Sequence, residues 1–186
     1  MTGPFEIIPS VRQAKILPFA LSCPSRYVLI SGLDVSVLKA SVEEIHAARK
    51  IAIVNPSLVG GLASDATGLR LLRQHFGVDM IASSSLQQLQ QARREGLMCI
   101  QRLFLVDSYA WDSALAALRN SKVDAVEILP GHMSVKFAAS LKTKGVPMLA
   151  GGFIKSRKEV QEILAAGYTG LTTSQRDLWN YECPVA

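Results

Sequence analysis

The chain has 186 residues, 49% of them hydrophobic and 6% aromatic, and its formal net charge at pH 7 is +5. This length is sufficient for one domain with a sizeable core, and no apolar run approaches the about 20 residues that a membrane-spanning helix needs. The first nine residues lack the basic start and the long apolar stretch of a signal peptide. We therefore expect one soluble domain over residues 1–186, with a C-terminal tail at about 180–186 and no membrane partner.

The positive charge favours an anionic partner only weakly, because excess charge also keeps a protein soluble. The sequence has no Lys/Arg block and no alternation of aromatic and basic residues of the kind that binds single-stranded nucleic acid. Cys23, Cys99 and Cys183 are odd in number, lie far apart and form no Cys-x-x-Cys pair. We therefore expect reduced thiols in a cytoplasmic protein.

Short apolar segments alternate with helical patterns along the whole chain. Strands are predicted at 5–9, 27–30, 51–54, 80–82, 98–105 and 125–129, and within 147–154 and 165–174. Helices are predicted at 11–20, 34–46, 65–76, 85–94, 107–119, 134–144, 157–166 and 176–179. Asp34 is a predicted N-cap, Ser85 is predicted to open its helix, and either Asp107 or Ser108 is predicted to cap the helix that follows. Gly77 is predicted to end its helix.

Strict alternation predicts parallel strands with the helices outside them, and eight strand–helix units favour closure into a barrel. The predicted fold class is therefore α/β, a compact (β/α)8 TIM-type barrel. Its loops must be short, because typical barrels of this type have about 250 residues. The alternative is an open doubly wound sheet, although the turn after the first strand lacks the Gly-x-Gly-x-x-Gly fingerprint.

The last two strand–helix units both contain small residues at the predicted strand ends. Gly151-Gly152 precedes the helical pattern at 157–166, and Thr172-Thr173-Ser174 precedes the one at 176–179. Unpaired N–H groups beside a helix N-terminus bind anions, and (β/α)8 barrels build a phosphate site after strands seven and eight. Each segment alone could be a simple turn, but their position in the last two units favours a phosphate site.

Residues that do not suit a packed core follow or interrupt predicted strands three, five and six, where such barrels place functional groups. They are Asn55, Ser57, Gln101, Arg102, Glu127, Gly131 and His132. Because successive strand residues point to opposite faces, only one of Gln101 and Arg102 can face the barrel interior.

Arg102 and Glu127 lie on neighbouring predicted strands and have two possible roles. A parallel strand is buried on both faces, so a buried guanidinium needs a carboxylate or phosphate partner. One interpretation is an ion pair that fills the barrel. In the other, Glu127 accepts hydrogen bonds from ligand hydroxyls while Arg102 helps to hold an anion.

Groups for catalysis are sparse. Of the three histidines only His132 follows a strand, no cluster has metal-ligand spacing, and no Gly-x-Ser-x-Gly is present. A phosphate site with few proton-transfer groups suits a sensor better than an enzyme, so we assign no catalytic residue, metal or cofactor. The alternative is a barrel enzyme that acts on a small phosphorylated sugar or glycerol phosphate, with Glu127 as general base.

Four segments at compatible spacing resemble one protein family. They are 100–108 (IQRLFLVDS), 127–131 (EILPG), 150–154 (AGGFI) and 172–179 (TTSQRDLW). The segment 8–12 (IPSVR) and Gly61-Leu62 fit as well. Together they resemble the glycerol-3-phosphate-responsive antiterminators, regulatory proteins of bacterial glycerol-uptake operons, from residue 5 to residue 179.

The resemblance implies a regulator with glycerol 3-phosphate as effector, which acts on the leader mRNA of its operon to prevent termination and stabilise the transcript. It implies a phosphate held by Gly151, Gly152, Thr173 and Ser174. The polar contacts to the ligand would come from Arg102, Glu127, Gly131 and Asn55. Assembly into a homo-oligomer is left open.

Two positions depart from the family pattern. After strand three the family tends to carry a His and an Asp, where this chain has Asn55 and Ser57. Neutral side chains are poor substitutes for the carboxylates that hold a metal, so the departure argues against a metal site here.

The RNA contacts are predicted from charge alone. Six basic residues fall near the ends of predicted helices, where they either contact RNA phosphates or form a solvated rim. They are Arg49, Lys50, Arg93, Arg94, Lys142 and Lys144.

Overall fold

A computed structural model gives the fold and describes residues 4–120, 122–141 and 145–182. Eight parallel strands form a closed barrel in chain order, with the first strand paired to the eighth. The strands are β1 (Glu6–Val11), β2 (Tyr27–Ile30), β3 (Ile51–Val54), β4 (Met80–Ser83), β5 (Met98–Phe104), β6 (Ala125–Leu129), β7 (Met148–Gly151) and β8 (Gly170–Thr173). The predicted (β/α)8 barrel is confirmed, and the open sheet was the wrong alternative.

Helices alternate with the strands. They are α1 (Leu17–Leu21), α2 (Val35–Ala47), α3 (Ala66–Gln74), α4 (Leu86–Arg94), α5 (Ser108–Asn120), α6 (Gly131–Lys136) and α7 (Arg157–Ala165). Asp34, the predicted N-cap of α2, accepts a hydrogen bond from Ser36 N–H. Ser85, predicted to open its helix, is the N-cap of α4 and accepts from Gln88 N–H. Gly77 follows α3 with a φ of +72°. None of the helices in the described part of the chain has the length and apolar character needed to cross a membrane.

Helix α6 differs most from its prediction. It begins at Gly131 instead of residue 134 and ends at Lys136 instead of residue 144. The Ser134 hydroxyl does not cap the helix; it donates to the Gly131 carbonyl at 2.6 Å, inside the first turn. Residues 142–144 of the predicted helix lie outside the described part of the chain.

The first and last predicted helices are also shorter than expected. Strand β1 continues to Val11 because Ser10 and Val11 pair with β2, so α1 begins only at Leu17. A 3-10 turn, Ala14–Ile16, joins the two elements. The segment predicted as the last helix forms a single 3-10 turn, Arg176–Leu178.

Side-chain alternation divides the core into the barrel interior and the layer between strands and helices. The interior is filled by Ile8, Tyr27, Leu29, Ile53, Met80, Ala82, Ile100, Ala125 and Leu149. Because Ile100 faces the interior, Arg102 does so too, and Gln101 is buried on the outer face of β5.

Two of the cysteines are buried free thiols. They are Cys23 and Cys99, while Cys183 lies outside the described residues. Burial raises the pKa of Cys99 to about 11, and it also raises the pKa of Cys23. Both side chains are therefore protonated thiols at neutral pH, as buried structural cysteines are.

Lys50 closes the amino-terminal end of the barrel. Its ammonium donates to the Cys23 carbonyl at 2.6 Å and also to the Ser25 carbonyl. Burial lowers the pKa of Lys50, while the nearby Cys23 and Glu6 oppose that shift. Lys50 thus links the loop between α1 and β2 to the start of β3.

We expect Lys50→Met to lower the free energy of unfolding by about 1–3 kcal/mol, because two partly buried carbonyls lose their donor. Arg49→Met is the matched control, since the Arg49 side chain is exposed and has no ion pair within the described residues. Urea denaturation of both variants checks the prediction. Equal stability of the two variants would contradict a structural role for Lys50.

Candidate functional site

A cavity of about 600 Å³ opens at the carboxyl ends of the strands. Its wall carries three cationic side chains, Arg12, Arg102 and Lys155. It also carries the polar residues Ser10, Ser31, Asn55, Thr172, Thr173, Ser174 and Gln175. A concave site of this size with convergent polar groups suits a small ligand.

Arg102 and Glu127 form an ion pair inside the barrel, with Arg102 at the cavity wall and Glu127 beneath it. They are register partners on β5 and β6, and Arg102 Nε lies 2.5 Å from Glu127 Oε2. The second carboxylate oxygen, Oε1, accepts a hydrogen bond from the Thr172 hydroxyl at 2.5 Å. Glu127 is 1% exposed and does not line the cavity, whereas Arg102 does. The geometry matches the ion-pair interpretation of these two residues.

Gly151 does not line the cavity. Its lack of a side chain leaves space for the hydrogen bonds that Glu127 makes with Arg102 and Thr172. A Cβ at position 151 would lie 2.4 Å from Glu127 Oε1 and 2.8 Å from the Thr172 hydroxyl. The Glu127 carboxylate can therefore reach across β7 to β8 only because residue 151 has no side chain. Of the predicted glycine pair, Gly152 alone lines the cavity.

The loop after β7 has an unusual backbone. Gly152 and Phe153 have φ values of +78° and +59°, and such a conformation is rare for a bulky residue such as phenylalanine. Within the described residues, the N–H groups of Phe153 and Ile154 donate no hydrogen bond, and both residues line the cavity. Successive free N–H groups in a loop of this kind are typical of anion sites.

The N-terminus of α7, by contrast, is already capped. The Glu159 carboxylate accepts from the N–H groups of Lys155 and Ser156 at 3.0 and 2.8 Å, and the Ser156 hydroxyl accepts from Glu159 N–H. The free donors of this unit therefore lie in the loop before the helix.

Thr173 and Ser174, predicted from the end of β8, both line the cavity but differ in their bonding. The Thr173 hydroxyl donates to the Ile154 carbonyl at 2.9 Å and accepts from Gln175 N–H at 3.0 Å. It thereby ties the β7 and β8 loops together. Ser174 is exposed, and neither its hydroxyl nor its N–H is hydrogen-bonded within the described residues.

Asn55 is buried and lines the cavity. Its side-chain oxygen accepts from Ser57 N–H at 3.2 Å and caps the 3-10 turn Pro56–Leu58. The side-chain nitrogen has no partner in the described part of the chain and is thus a free donor. Ser57 itself is exposed and does not line the cavity.

Gly131 and His132 lie outside the cavity. Gly131 is buried, its N–H donates to the Gly152 carbonyl at 3.0 Å, and a Cβ there would lie 2.7 Å from Ile154 Cγ1. Gly131 thus packs against the loop after β7 and donates a hydrogen bond to it. His132 is exposed on α6.

Sequence reasoning missed Arg12, Lys155 and Phe153 as cavity residues. Arg12 follows β1 directly, and Lys155 comes four residues after the end of β7. Neither forms an ion pair within the described residues. The position of each just beyond a strand end was the available signal, since barrels of this type place functional groups there.

Four of the six basic residues predicted to contact RNA are described by the structure, and they lie at the opposite end of the barrel. Arg49 and Lys50 precede β3, and Arg93 and Arg94 close α4 before β5. Arg93 donates to the Lys122 carbonyl, and Lys50 is bonded to two carbonyls. Lys142 and Lys144 lie outside the described residues. In the part of the chain that is described, no three His, Cys, Asp or Glu side chains are grouped to hold a metal ion.

Comparison with known proteins gives a consistent set of relatives. The chain is 26% identical to the protein YgcP of Escherichia coli (strain K12) over 173 residues, which cover 93% of this chain and 91% of that protein. Its fold superimposes on a glycerol uptake operon antiterminator regulatory protein from Listeria monocytogenes with a TM-score of 0.86 and 28% identity, covering 96% of this chain and 98% of that one.

A glycerol uptake operon antiterminator-related protein from Thermotoga maritima matches with a TM-score of 0.82 and 24% identity, covering 95% of this chain and 99% of that one. The model of the family described as glycerol-3-phosphate responsive antiterminator matches residues 7–179. Since that match spans nearly the whole barrel, the chain belongs to the glycerol-3-phosphate-responsive antiterminator family.

Proposed function

We propose that this protein senses glycerol 3-phosphate and, in response, acts on the leader mRNA of a glycerol-utilisation operon in the cytoplasm to prevent transcription termination. The observation that carries the proposal is the chemistry of the cavity. Its described wall holds three cations and several hydroxyl groups but no carboxylate or imidazole. Such a wall suits binding of an anion better than proton transfer.

The charges in and below the cavity suit a phosphate monoester. Arg12, Arg102 and Lys155 are cationic, and the carboxylate of Glu127 balances Arg102. Arg12 and Lys155 have no ion pair within the described residues and can neutralise a ligand, although the Glu159 carboxylate offsets part of the charge of Lys155. A phosphate monoester carries about −1.5 to −2 charges at pH 7. The free N–H groups of the β7 loop add directional donors.

Polar groups on the other side of the cavity suit the glycerol hydroxyls. Ser10, Ser31 and Asn55 line this side, at the ends of β1, β2 and β3. Ser10 and Ser31 share one hydrogen bond of 2.7 Å, and the Asn55 side-chain nitrogen is a free donor within the described residues. A ligand with an anionic end and a hydroxylated end can thus span the cavity.

The contacts of Glu127 do not favour the alternative of a barrel enzyme. A general base must reach the proton that it removes. Both oxygens of Glu127 are engaged, by Arg102 and Thr172, and the side chain lies below the cavity wall.

Thermal melting with added glycerol 3-phosphate tests the sensor. At about 100-fold excess over Kd a ligand that binds only the folded state adds about 2.7 kcal/mol, which raises the melting midpoint by about 5–10 °C for a chain of this size. Glycerol and inorganic phosphate, each at the same concentration, are the controls. A shift of equal size with phosphate alone would contradict the proposed effector.

We expect Lys155→Met to weaken glycerol 3-phosphate binding by about 10- to 100-fold, because a charge-assisted contact to the phosphate is lost. Lys158→Met is the matched control, since Lys158 is 85% exposed and lies outside the cavity wall. Isothermal titration calorimetry compares the two. If both variants bind as the parent does, Lys155 does not hold the phosphate.

Glu127→Gln should lower the free energy of unfolding by about 3–5 kcal/mol, because it removes one partner of a buried ion pair. Glu43→Gln, on the exposed side of α2, should leave the stability unchanged within about 0.5 kcal/mol. Urea denaturation measures both. A Glu127→Gln protein of normal stability that no longer binds glycerol 3-phosphate would show instead that Glu127 contacts the ligand.

A further inference from the structure

Large apolar side chains remain exposed around the cavity mouth. The three most exposed in the described part of the chain are Tyr109 (82%), Val106 (76%) and Phe153 (75%). Tyr109 and Val106 lie at the start of α5 and just before it, and Phe153 lies in the β7 loop, so all three are at the carboxyl end of the barrel. Phe104, at the end of β5, is 43% exposed beside them.

Cations lie near two of these side chains, Phe153 and Phe104. Phe153 is followed two residues later by Lys155, and both line the mouth together with Arg12. The Arg102 guanidinium stacks over the Phe104 ring, 5.2 Å from its centroid. Asp107, the carboxylate between Val106 and Tyr109, accepts from Ala110 N–H at 2.7 Å and so caps its own helix.

From this surface (Phe104, Val106, Tyr109 and Phe153, with Arg12 and Lys155) we infer that the mouth of the barrel is the RNA-binding face and that it binds unpaired nucleotides. The inference rests on the proposed function, which supplies RNA as the partner but not the place where it binds. Aromatic rings stack on bases, and the neighbouring cations neutralise phosphates, which is the chemistry of single-stranded RNA binding.

A second copy of this chain would be a poorer occupant. In a two-fold symmetric contact the same patch faces itself, so Arg12 and Lys155 of one copy would approach their counterparts in the other. Juxtaposed like charges disfavour such a contact, whereas a polyanion carries the complementary charge. The protein's net charge of +5 acts in the same direction.

The position of Phe153 places RNA and effector next to each other. Phe153 lines the cavity and is also exposed at its rim, in a backbone conformation that its own side chain disfavours. An effector held by the β7 loop would therefore lie directly beneath nucleotides stacked on Phe153.

The test begins with selection of RNA by the full-length protein, in the presence of glycerol 3-phosphate, from a random-sequence pool of about 40 nucleotides. The enriched RNA is then titrated against variants by fluorescence anisotropy at constant salt. Tyr109→Ala and Phe153→Ala are each expected to weaken its binding by about 5- to 150-fold. Tyr109→Ala should keep its affinity for glycerol 3-phosphate, because Tyr109 does not line the cavity.

The matched control carries Arg49→Ala, Arg93→Ala and Arg94→Ala together, at the opposite end of the barrel, and should bind the RNA as the parent does. If this triple variant loses RNA while both mouth variants retain it, the RNA face is the amino-terminal end and the inference is wrong. Unchanged RNA binding by Tyr109→Ala, with a changed mass in light scattering, would show that the surface binds a second copy.

Failure of the proposed function gives a different result. If no RNA is enriched, the RNA part of that function and this inference fall together. The thermal shift with glycerol 3-phosphate then shows whether effector sensing survives. If RNA is enriched and the mouth variants bind it normally, only the inference is overturned.

Discussion

The pairing of Glu127 is the constraint on which the upper half of the barrel depends. A carboxylate that is 1% exposed inside a parallel barrel requires compensating donors, because an unpaired buried charge is very costly. Arg102 and Thr172 supply them from β5 and β8, and Gly151 leaves the space that the carboxylate needs to reach β8. One acidic residue thus determines what its neighbours on three strands must be.

The same pairing divides the polar interior into two levels. In the lower level, Arg102 and Glu127 neutralise each other. In the upper level, Arg12 and Lys155 lie on the cavity wall without an ion pair in the described residues. The positive charge of Arg12 and Lys155 therefore lies at the rim, next to solvent, although the nearby Glu159 carboxylate offsets part of the charge of Lys155. Glu127 thus neutralises Arg102 inside the barrel, and the charges of Arg12 and Lys155 at the rim take no part in that pairing.

Features with local causes could be predicted from the sequence, and those with three-dimensional causes could not. The helix starts at Asp34 and Ser85 were identified because an N-cap is a contact between residues two or three positions apart. Gly151 was assigned to the phosphate by its position, but its neighbours belong to β6 and β8, so its role in housing Glu127 became visible only in the barrel. Arg12 was missed although it directly follows β1, because nothing local to it shows that the first strand–helix unit contributes to the same cavity as the last two.

Basic residues at the two ends of the barrel have different surroundings, which charge along the sequence does not reveal. At the amino-terminal end Lys50 and Arg93 donate to backbone carbonyls, so these two basic residues stabilise the fold. At the carboxyl end, the Arg12 and Lys155 side chains donate to no backbone carbonyl within the described residues. Both line the cavity together with the exposed Phe153. The sequence contains no alternation of aromatic and basic residues, because Phe104 and Tyr109 belong to the fifth strand–helix unit, Phe153 to the seventh and Arg12 to the first, and only the closed barrel brings these units to one end. On the proposed RNA surface, Phe153 and Lys155 also line the cavity, so the proposed coupling of RNA and effector needs no distant relay. Linkage would make that coupling reciprocal, with RNA favouring effector binding by the same factor by which the effector favours RNA.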